Sequence, residues 1–424
     1  MENSRYRPRV ADDLVRNCLE VAGAVCLEGP KWCGKTWTSA YHCASSMYVG
    51  DPANNFQNRR LAEMSPDLVL QGEPPRLIDE WQEVPLLWDA VRFEVDRRGE
   101  NGQFILTGSS TPNRKGVMHS GAGRIVTLRM RPMSLYESGD STGAVSLRDV
   151  LSGELAQVFT GDVSLMHLLE LIVRGGWPGN LGTAHPDSGV LPASYIRAIL
   201  DDDASRLDGT RRDSRKMELL LRSLARNEST TATGRTLKRD IKDVDDEDIN
   251  SDTIAAYLDV FKRLFLTDNQ PPFSSNIRSA TRIKQAEKRH LADPSLSAAL
   301  LGATPDKLVN DLETAGLLFE ALCERDLRIY AEALGAALYH YQDYANREID
   351  AVVETADGEW FAFEMKLGAN QIDAAAASLL SVRESIAAGG GKPPRELCVV
   401  CGLSNAAYKR PDGVLVVPIT SLGP

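Results

Sequence analysis

The chain has 424 residues, of which 43% are hydrophobic and 25% are charged, and its formal net charge is -11. These proportions are typical of a folded globular protein. The length is too great for one hydrophobic core, so we expect two or three domains. The acidic balance gives no overall sign of a nucleic-acid partner, although it is compatible with a local basic face.

The amino-terminal sequence MENSRYRPRV lacks the apolar segment of a signal peptide. No stretch approaches the roughly 18 consecutive apolar residues that crossing a bilayer requires. The cysteines number seven, an odd count, and most lie in apolar or helical-looking runs. We therefore predict a cytoplasmic protein with reduced thiols and no membrane partner.

Strand and helix signals alternate through the first ~135 residues, which predicts a parallel α/β sheet. The strand signals fall at 22–28, 46–50, 76–78, 103–106 and 124–131, and the helix signals at 35–43, 53–64 and 86–97.

The next part of the chain, 136–290, is predicted to be mainly helical, with apolar residues at helical spacing in 165–173, 193–202 and 216–226. The order of elements in 214–273 suits a winged-helix unit of the helix-turn-helix type. Whether this unit contacts DNA stays open, because the acidic run 243–248 would repel a phosphate backbone. The alternative is a helical lid or a protein-docking module. The basic candidates for phosphate contact are Arg235, Lys238, Arg239, Lys262 and Arg263.

The last part, 291–424, is predicted to be a second α/β region. It combines helices at 311–327 and 372–386, a β-hairpin at 348–366, and strands at 337–341, 396–401 and 413–419.

A glycine-rich turn between the first strand and the first helix matches the full pattern G-x-x-x-x-G-K-[ST]. Such a turn directs backbone N–H groups and the positive end of the new helix at phosphates. Lys35 would reach the β- and γ-phosphates, and Thr36 would ligate Mg²⁺. The predicted nucleotide-binding residues are Gly29, Pro30, Lys31, Trp32, Cys33, Gly34, Lys35 and Thr36.

Two later strands of the predicted sheet end in polar side chains. The run Leu77-Ile78 ends in Asp79 and Glu80. Because adjacent buried carboxylates are costly, we predict that Asp79 holds the magnesium shell and that Glu80 polarises the attacking water. The strand 104–106 ends in a Ser/Thr cluster, and we place a γ-phosphate sensor or water-orienting residue at Thr107 or Ser109.

Hydrolysis of a nucleotide at such a site often uses an arginine that stabilises the charge developing in the transition state. This arginine is often supplied across a subunit interface. Spacing does not choose among the candidates Arg124, Arg129, Arg131 and Arg174. We place Arg124 first and Arg174 second.

A set of runs along the chain resembles a widespread prokaryotic family of AAA+ ATPases: Tyr6-Arg7-Pro8, GPKWCGKT, LIDEWQEVP, FILTGSS, GAGR, LRMRPMSLYES and RGGWP. In that family the ATPase is fused to a winged-helix segment and a carboxy-terminal domain of unknown function. The resemblance implies ATP rather than GTP, a prokaryotic cytoplasmic setting and assembly as a homo-oligomer. Together with the order of elements along the chain, it predicts three domains: an AAA+ ATPase domain at 1–135, a helical lid and winged-helix region at 136–290, and a nuclease-like domain at 291–424.

The carboxy-terminal region contains Asp350, a gap of thirteen residues, and then Glu364-x-Lys366. This is the arrangement of a PD-(D/E)xK nuclease-like core, in which two carboxylates hold Mg²⁺ or Mn²⁺ and the lysine positions water. Strand alternation supports the cluster only if Asp350 pairs opposite Glu364, and the apolar pattern of the hairpin selects that register. The resemblance adds Glu320 on the preceding helix. The alternative is that this domain keeps the fold of a nuclease but has no nuclease activity.

These features predict an ATP-hydrolysing protein that acts on DNA or RNA through its carboxy-terminal domain. The competing hypothesis is a nucleotide-dependent switch that binds a protein partner and whose carboxy-terminal domain is catalytically silent.

Overall fold

The computed structural model describes residues 6–111, 120–183, 185–207, 209–245, 249–276, 278–279, 282, 285–343 and 347–424. The chain divides into two compact units, each assembled from separate stretches of sequence. The first unit comprises Met1–Pro132, Asp201–Arg212 and Asp259–Leu266, and the second comprises Met133–Leu200, Asp213–Leu258 and Thr267–Pro424. The three-domain division expected from the sequence stays a prediction.

The first unit is built on a five-stranded parallel sheet with the strand order β2-β3-β4-β1-β5. This confirms the predicted parallel α/β architecture. The strands are β1 (Ala24–Glu28), β2 (Ser45–Tyr48), β3 (Arg76–Asp79), β4 (Phe104–Gly108) and β5 (Ile125–Arg129). The helices along this part of the chain are α1 (Ala11–Val21), α2 (Lys35–His42), α3 (Ala53–Met64), α4 (Pro66–Val69) and α5 (Leu86–Arg98).

Both faces of this sheet are buried, which explains why its strands are continuous apolar runs rather than alternating ones. Ala24 and Cys26 of β1 face a core that includes Trp88 of α5. Val25 and Leu27 face the opposite side and pack with Val15 of α1. Because the strands are parallel, their carboxyl ends all lie at the same end of the sheet, where α/β proteins of this type bind ligands.

Most of the remaining helices belong to the second unit, but two do not lie in it entirely: α10 lies in the first unit and α13 has residues in both. They are α6 (Leu135–Ser138), α7 (Leu147–Ser152), α8 (Leu165–Arg174), α9 (Val190–Ala198), α10 (Ala204–Arg206), α11 (Ser214–Arg226), α12 (Gly234–Asp245), α13 (Ser251–Arg263), α14 (Pro294–Leu301), α15 (Pro305–Leu308), α16 (Leu312–Ala333) and α17 (Ile372–Ala388).

The second unit contains a mixed seven-stranded sheet with the order β7-β12-β13-β11-β10-β9-β8. Strands β8, β9 and β10 form an antiparallel meander, and α17 connects β10 to the parallel strand β11. A parallel pair, β6 with β14, lies apart from this sheet. The strands are β6 (Val145–Ser146), β7 (Val158–Phe159), β8 (Ala337–Gln342), β9 (Glu348–Glu354), β10 (Trp360–Lys366), β11 (Leu397–Cys401), β12 (Ala406–Lys409), β13 (Leu415–Pro418) and β14 (Leu422–Gly423).

The register of the β9–β10 hairpin is the one that the apolar pattern selects. Phe361 pairs with Val353 and Phe363 with Ala351, so Asp350 and Glu364 fall opposite each other. The prediction of this register is confirmed. A slip of one residue would have moved every side chain of β10 to the other face.

The middle of the chain was expected to be helical, and helices α8, α9 and α11 appear where the periodicity places them. The expectation missed β7, which pairs antiparallel with β12 at one edge of the second sheet. Around α11–α13 there are short antiparallel bridges, including Gln270 with Lys288. A winged helix in this region stays a prediction.

Candidate functional site

The loop between β1 and α2 approaches other backbone so closely that glycine is required at its start. A Cβ atom added to Gly29 would lie 2.1 Å from the carbonyl oxygen of Met130, which follows β5. Gly34 has φ 106°, a left-handed conformation that other residues rarely adopt. The loop therefore curls back on itself immediately before Lys35 begins α2.

Lys35 is 4% exposed. Its ammonium donates hydrogen bonds to the carbonyl oxygens of Gly29 (2.9 Å) and Pro30 (2.8 Å), which belong to the same loop. The charge is thereby held inside the loop rather than extended into solvent. This is the geometry of a phosphate cradle: a buried cation beneath a tight turn at the start of a helix.

Asp79, the last residue of β3, connects this loop to the neighbouring strand. Its Oδ1 accepts a hydrogen bond from the Thr36 hydroxyl (2.9 Å) and another from the Thr107 hydroxyl of β4 (2.7 Å). Burial raises the pKa of Asp79, although both hydroxyls favour its anion. The predicted magnesium ligands Thr36 and Asp79 are therefore in direct contact.

Glu80 has left-handed backbone geometry, with φ 57°. Its N–H donates to Thr107 Oγ1 (2.9 Å). Its carboxylate Oε2 accepts hydrogen bonds from Ser109 (2.8 Å) and from the Gln82 amide. The structure thus brings together Asp79, Glu80, Thr107 and Ser109, and it adds Gln82, which the sequence interpretation had not singled out.

A cavity of about 650 Å³ opens beside Glu80. One wall is formed by Lys31 of the glycine-rich loop, whose ammonium is ion-paired with the nearly buried Asp203. The cavity is lined by Lys31, Gly50, Phe56, Arg59, Glu80, Gln82, Glu83, Ser109, Ser110, Asp203, Arg206, Leu207 and Leu264.

The amino-terminal segment braces the glycine-rich loop through Arg9. This arginine is 7% exposed, and it donates to the carbonyl oxygens of Cys33 (2.8 Å) and Arg131 (2.8 Å). Nearby, the Tyr6 hydroxyl donates to Asp12 (2.6 Å). The sequence interpretation missed Arg9, although the adjoining run Tyr6-Arg7-Pro8 was a signal that this segment has a specific place.

The arginine candidates fall in different surroundings. Arg124 precedes β5, at the edge of the sheet opposite the glycine-rich loop, and donates to Asp96 (2.8 Å). Arg174 belongs to the second unit, where it pairs with Asp140 (2.6 Å). Arg129 lies over the Phe265 ring, and Arg131 is almost completely buried. Within the first unit, Arg124 does not lie at the loop. A role for Arg124 or Arg174 across a subunit interface stays a prediction.

The second unit brings together the four residues predicted at the carboxy terminus. Lys366 Nζ lies 2.9 Å from Glu364 Oε1 and 3.4 Å from Asp350 Oδ2. Glu320 of α16 joins this group by an ion pair with Lys288, a residue that the sequence interpretation missed. The Lys288 ammonium forms an ion pair with Glu320 and lies 3.7 Å from Asp350 Oδ1. We call these five residues the carboxylate–lysine cluster.

The carboxylate–lysine cluster is buried and charged. Burial, followed by the charge of Asp350, raises the pKa of Glu320 to about 7 and that of Glu364 to about 8. Burial would lower the pKa of Lys288, but the neighbouring charges of Glu320 and Asp350 outweigh it and raise the pKa above its ordinary value. Glu364 Oε2 is buried and has no hydrogen-bond partner among the described residues.

The fit of a metal differs between the two sites. In the first unit, a glycine cradle, a buried lysine and a hydroxyl–carboxylate pair suit a nucleoside triphosphate with Mg²⁺. In the second unit, the ammonium group of Lys288 lies among the carboxylate oxygens that would have to coordinate a divalent cation. Among the described residues, no group of three or more His, Cys, Asp or Glu side chains is arranged to hold a metal ion.

The strand order, the loop and the paired carboxylates define the first unit as a P-loop nucleotide-binding domain. Its residues 22–139 match the profile of a family described as an AAA domain. Residues 166–307 and 315–422 match two families described as domains of unknown function, DUF8612 and DUF4143 respectively. The chain therefore carries an AAA-type P-loop domain followed by two regions without an assigned function.

Two curated relatives have no assigned function. They are uncharacterized proteins of Mycobacterium tuberculosis and Mycobacterium bovis, each 26% identical over 356 residues, covering 83% of this chain and 72% of the relative. Among solved structures, the Walker-type ATPase PABY2304 of Pyrococcus abyssi has a TM-score of 0.42 at 14% identity, covering 70% of this chain and 97% of that chain. The replication initiator DnaA bound to AMPPCP and single-stranded DNA has a TM-score of 0.28 at 10% identity, covering 60% and 86%. These structural likenesses are too distant to define the site.

No described helix combines the length and the apolar character that crossing a bilayer requires. The seven cysteines are all free.

Proposed function

We propose that the first unit hydrolyses ATP with Mg²⁺. Lys35 and the backbone N–H groups of residues 31–36 would bind the phosphates, and Thr36 and Asp79 would hold a metal ion that offsets charge on the β- and γ-phosphates. Glu80 accepts a proton from the attacking water. Thr107, Ser109 and Gln82 keep the two carboxylates oriented.

The observation that carries this proposal is the sharing of Asp79 Oδ1 by two hydroxyls from different elements. Thr36 lies in the first turn of the helix after the glycine-rich loop, and Thr107 is the next-to-last residue of β4, the strand beside β3. The proposed magnesium ligand, the helix that follows the glycine-rich loop and the strand that precedes Glu80 are thereby joined by hydrogen bonds. A glycine turn that only caps a helix would need none of these contacts.

Two substitutions test the hydrolysis. Lys35→Ala should abolish binding of a fluorescent ATP analogue together with turnover, because the buried phosphate-facing charge is gone. Glu80→Gln should keep binding but lower turnover by about 10²–10⁴-fold, the usual contribution of a general base. Lys392→Ala, at an exposed ion pair with Glu359 in the second unit, is the control and should change neither quantity. Full turnover in Lys35→Ala would refute the proposal.

For the second unit two functions remain in competition. The meander β8–β10, the crossover helix α17 and the clustering of Glu320, Asp350, Glu364 and Lys366 support a nuclease-like core acting on DNA or RNA. Lys288, held against two of those carboxylates, favours the alternative: a nucleotide-dependent switch with a catalytically silent second unit that binds a protein partner. In either case assembly as a homo-oligomer would supply the arginine in trans.

Purified protein with plasmid DNA and Mg²⁺ or Mn²⁺ separates the two. Cleavage that disappears in Asp350→Ala, with ATP turnover retained, would support the nuclease. If DNA is not cleaved and does not stimulate ATP turnover, the nucleotide-dependent switch is the function that remains.

A further inference from the structure

The carboxylate–lysine cluster holds three carboxylates, Glu320, Asp350 and Glu364, and two ammonium groups, Lys288 and Lys366. The two lysines occupy the cluster differently. The Lys366 side chain is 26% exposed and lies at its solvent side. The Lys288 side chain is 6% exposed and is enclosed by carboxylates. The inner cation is therefore the one that the sequence motif does not contain.

Lys288 is held in place by its backbone. It forms an antiparallel bridge with Gln270, with both N–H groups donating to the opposite carbonyl at 2.9 Å. Gln270 is itself completely buried, and its amide donates to the carbonyl oxygens of Tyr339 (2.8 Å) and Asp350 (3.1 Å). The backbone of Lys288 is thus anchored beside β8 and β9, which holds the base of its side chain next to the cluster.

The ammonium groups divide the oxygens of Asp350 between them. Lys288 Nζ lies 3.7 Å from Oδ1, and Lys366 Nζ lies 3.4 Å from Oδ2. Asp350 Oδ2 also accepts the N–H of Met365 (2.9 Å). A magnesium ion needs about six oxygen ligands at ~2.0–2.1 Å, and here the ammonium groups stand between the carboxylates that would supply them.

Charge counting points the same way. Three carboxylates face two ammonium groups, so the cluster carries at most one net negative charge. A divalent cation would leave a net charge of at least plus one, with two ammonium groups beside the metal in a buried site, where like charges repel strongly. Replacing the inner lysine by a neutral residue would instead leave up to two net negative charges, which a divalent cation balances.

We propose that Lys288 is the resident cation of the carboxylate–lysine cluster: its ammonium takes the place that a divalent metal would occupy, and the cluster binds no Mg²⁺ or Mn²⁺ until that ammonium is removed. The nuclease motif in β9 and β10 is then complete in residue types but closed by a lysine from outside it. This assignment does not depend on ATP hydrolysis by the first unit.

The test is Mn²⁺ binding to the full chain without nucleotide, followed by the electron paramagnetic resonance signal of free Mn²⁺. Every protein carries Asp79→Asn, so that the first unit contributes no carboxylate at its proposed metal site. The starting protein should show no saturable site in the second unit. Lys288→Met should gain one site, at least about tenfold tighter than any residual binding, and adding Asp350→Asn should remove it. Lys288→Arg, which keeps the charge, and Lys392→Met, which removes an exposed lysine, should gain none.

Thermal unfolding gives a second readout. Lys288→Met leaves Glu320 and Asp350 without their inner cation, so its melting temperature should fall and then recover with Mn²⁺, while that of the starting protein should not respond. Saturable Mn²⁺ binding by the starting protein that is lost with Asp350→Asn would overturn the proposal. So would a folded Lys288→Met protein that gains no site. If Lys288→Met does not fold, the comparison of the starting protein with and without Asp350→Asn still decides.

Discussion

Thr107 shows how much one buried hydroxyl can organise. It is completely buried at the end of β4, where it donates to Asp79 and accepts the N–H of Glu80. The hydroxyl therefore fixes both the carboxylate proposed to hold magnesium and the backbone of the residue proposed to activate water. Its contacts make it a positioning residue for these carboxylates.

Thr107→Val preserves the shape of the side chain but leaves the Glu80 N–H and one side of Asp79 without a partner. An unsatisfied buried group costs about 1–3 kcal/mol. If the whole cost falls on the transition state, turnover should fall by about 5–150-fold, and ATP binding should weaken less. Steady-state ATPase assays over a range of Mg²⁺ concentrations would show this, with a raised Mg²⁺ requirement as the mark of a displaced Asp79. Thr107→Ser should restore most of the activity, and equal damage in both variants would argue against the assigned role.

At the scale of elements, two motifs behind the family resemblance, LRMRPMSLYES and RGGWP, contribute to packing of the second unit. A Cβ atom on Gly176 would lie 2.0 Å from the carbonyl oxygen of Met133, whose N–H donates to Gly176 O (2.6 Å). The next residue, Trp177, is completely buried and donates to Ser295 (2.9 Å). The run RGGWP is thus a point where the chain after α8 meets the start of α6 and the start of α14.

Gly176→Ala should destabilise the second unit because two backbones must separate to admit a methyl group. Overpacking of this kind typically costs about 1–3 kcal/mol. Differential scanning calorimetry should show a lower melting temperature. Gly182→Ala is the matched control, since nothing lies within 4 Å of its added Cβ. An unchanged melting temperature in Gly176→Ala would mean that this contact is looser than described.

At the scale of the whole molecule, the second unit is built from distant stretches of chain. Arg325 is buried between Asp293 (2.8 Å) and Asp326 (2.7 Å). Asp326 also accepts the N–H of Leu135 (2.8 Å), and Asp293 accepts that of Gly176 (3.0 Å). Strand β7 extends the edge of the sheet at β12, and β6 pairs with β14. The sheet at the carboxy terminus is therefore completed by residues that precede it.

A fragment of residues 291–424 should consequently fail to unfold cooperatively when expressed alone. It lacks the amide donors to two buried aspartates, the strands β7 and β6 that pair with β12 and β14, and the cation Lys288. Unpaired buried charges are strongly destabilising, by about 3–5 kcal/mol for a broken pair. A fragment of residues 133–424 retains all of these groups and should show a thermal transition by circular dichroism. Equal transitions in both fragments would support the boundary at 291 that the sequence suggested.

The sequence by itself determined the local elements and the first site. Apolar runs of strand length, helical periodicity and the glycine pattern depend on neighbouring residues, so β1–β5, α2 and α5 were predicted to within two residues at each end. The motif also placed Lys35, Thr36, Asp79 and Glu80, because the carboxyl ends of parallel strands must lie at one edge. Even the hairpin register was predictable, since only one register buries a continuous apolar face.

Only the tertiary structure decided which partners the charged and polar groups face. Arg9 and Lys288 reach their sites through contacts between segments far apart in sequence, as does Gln82 in its contact with Ser109, and no periodicity encodes such a contact. Lys288 matters most. The spacing of Asp350, Glu364 and Lys366 predicts a metal site. The backbone bridge between Gln270 and Lys288, however, places an ammonium group beside the same carboxylates. A motif specifies which groups are available, and the packing of the remaining chain determines which charge balances them.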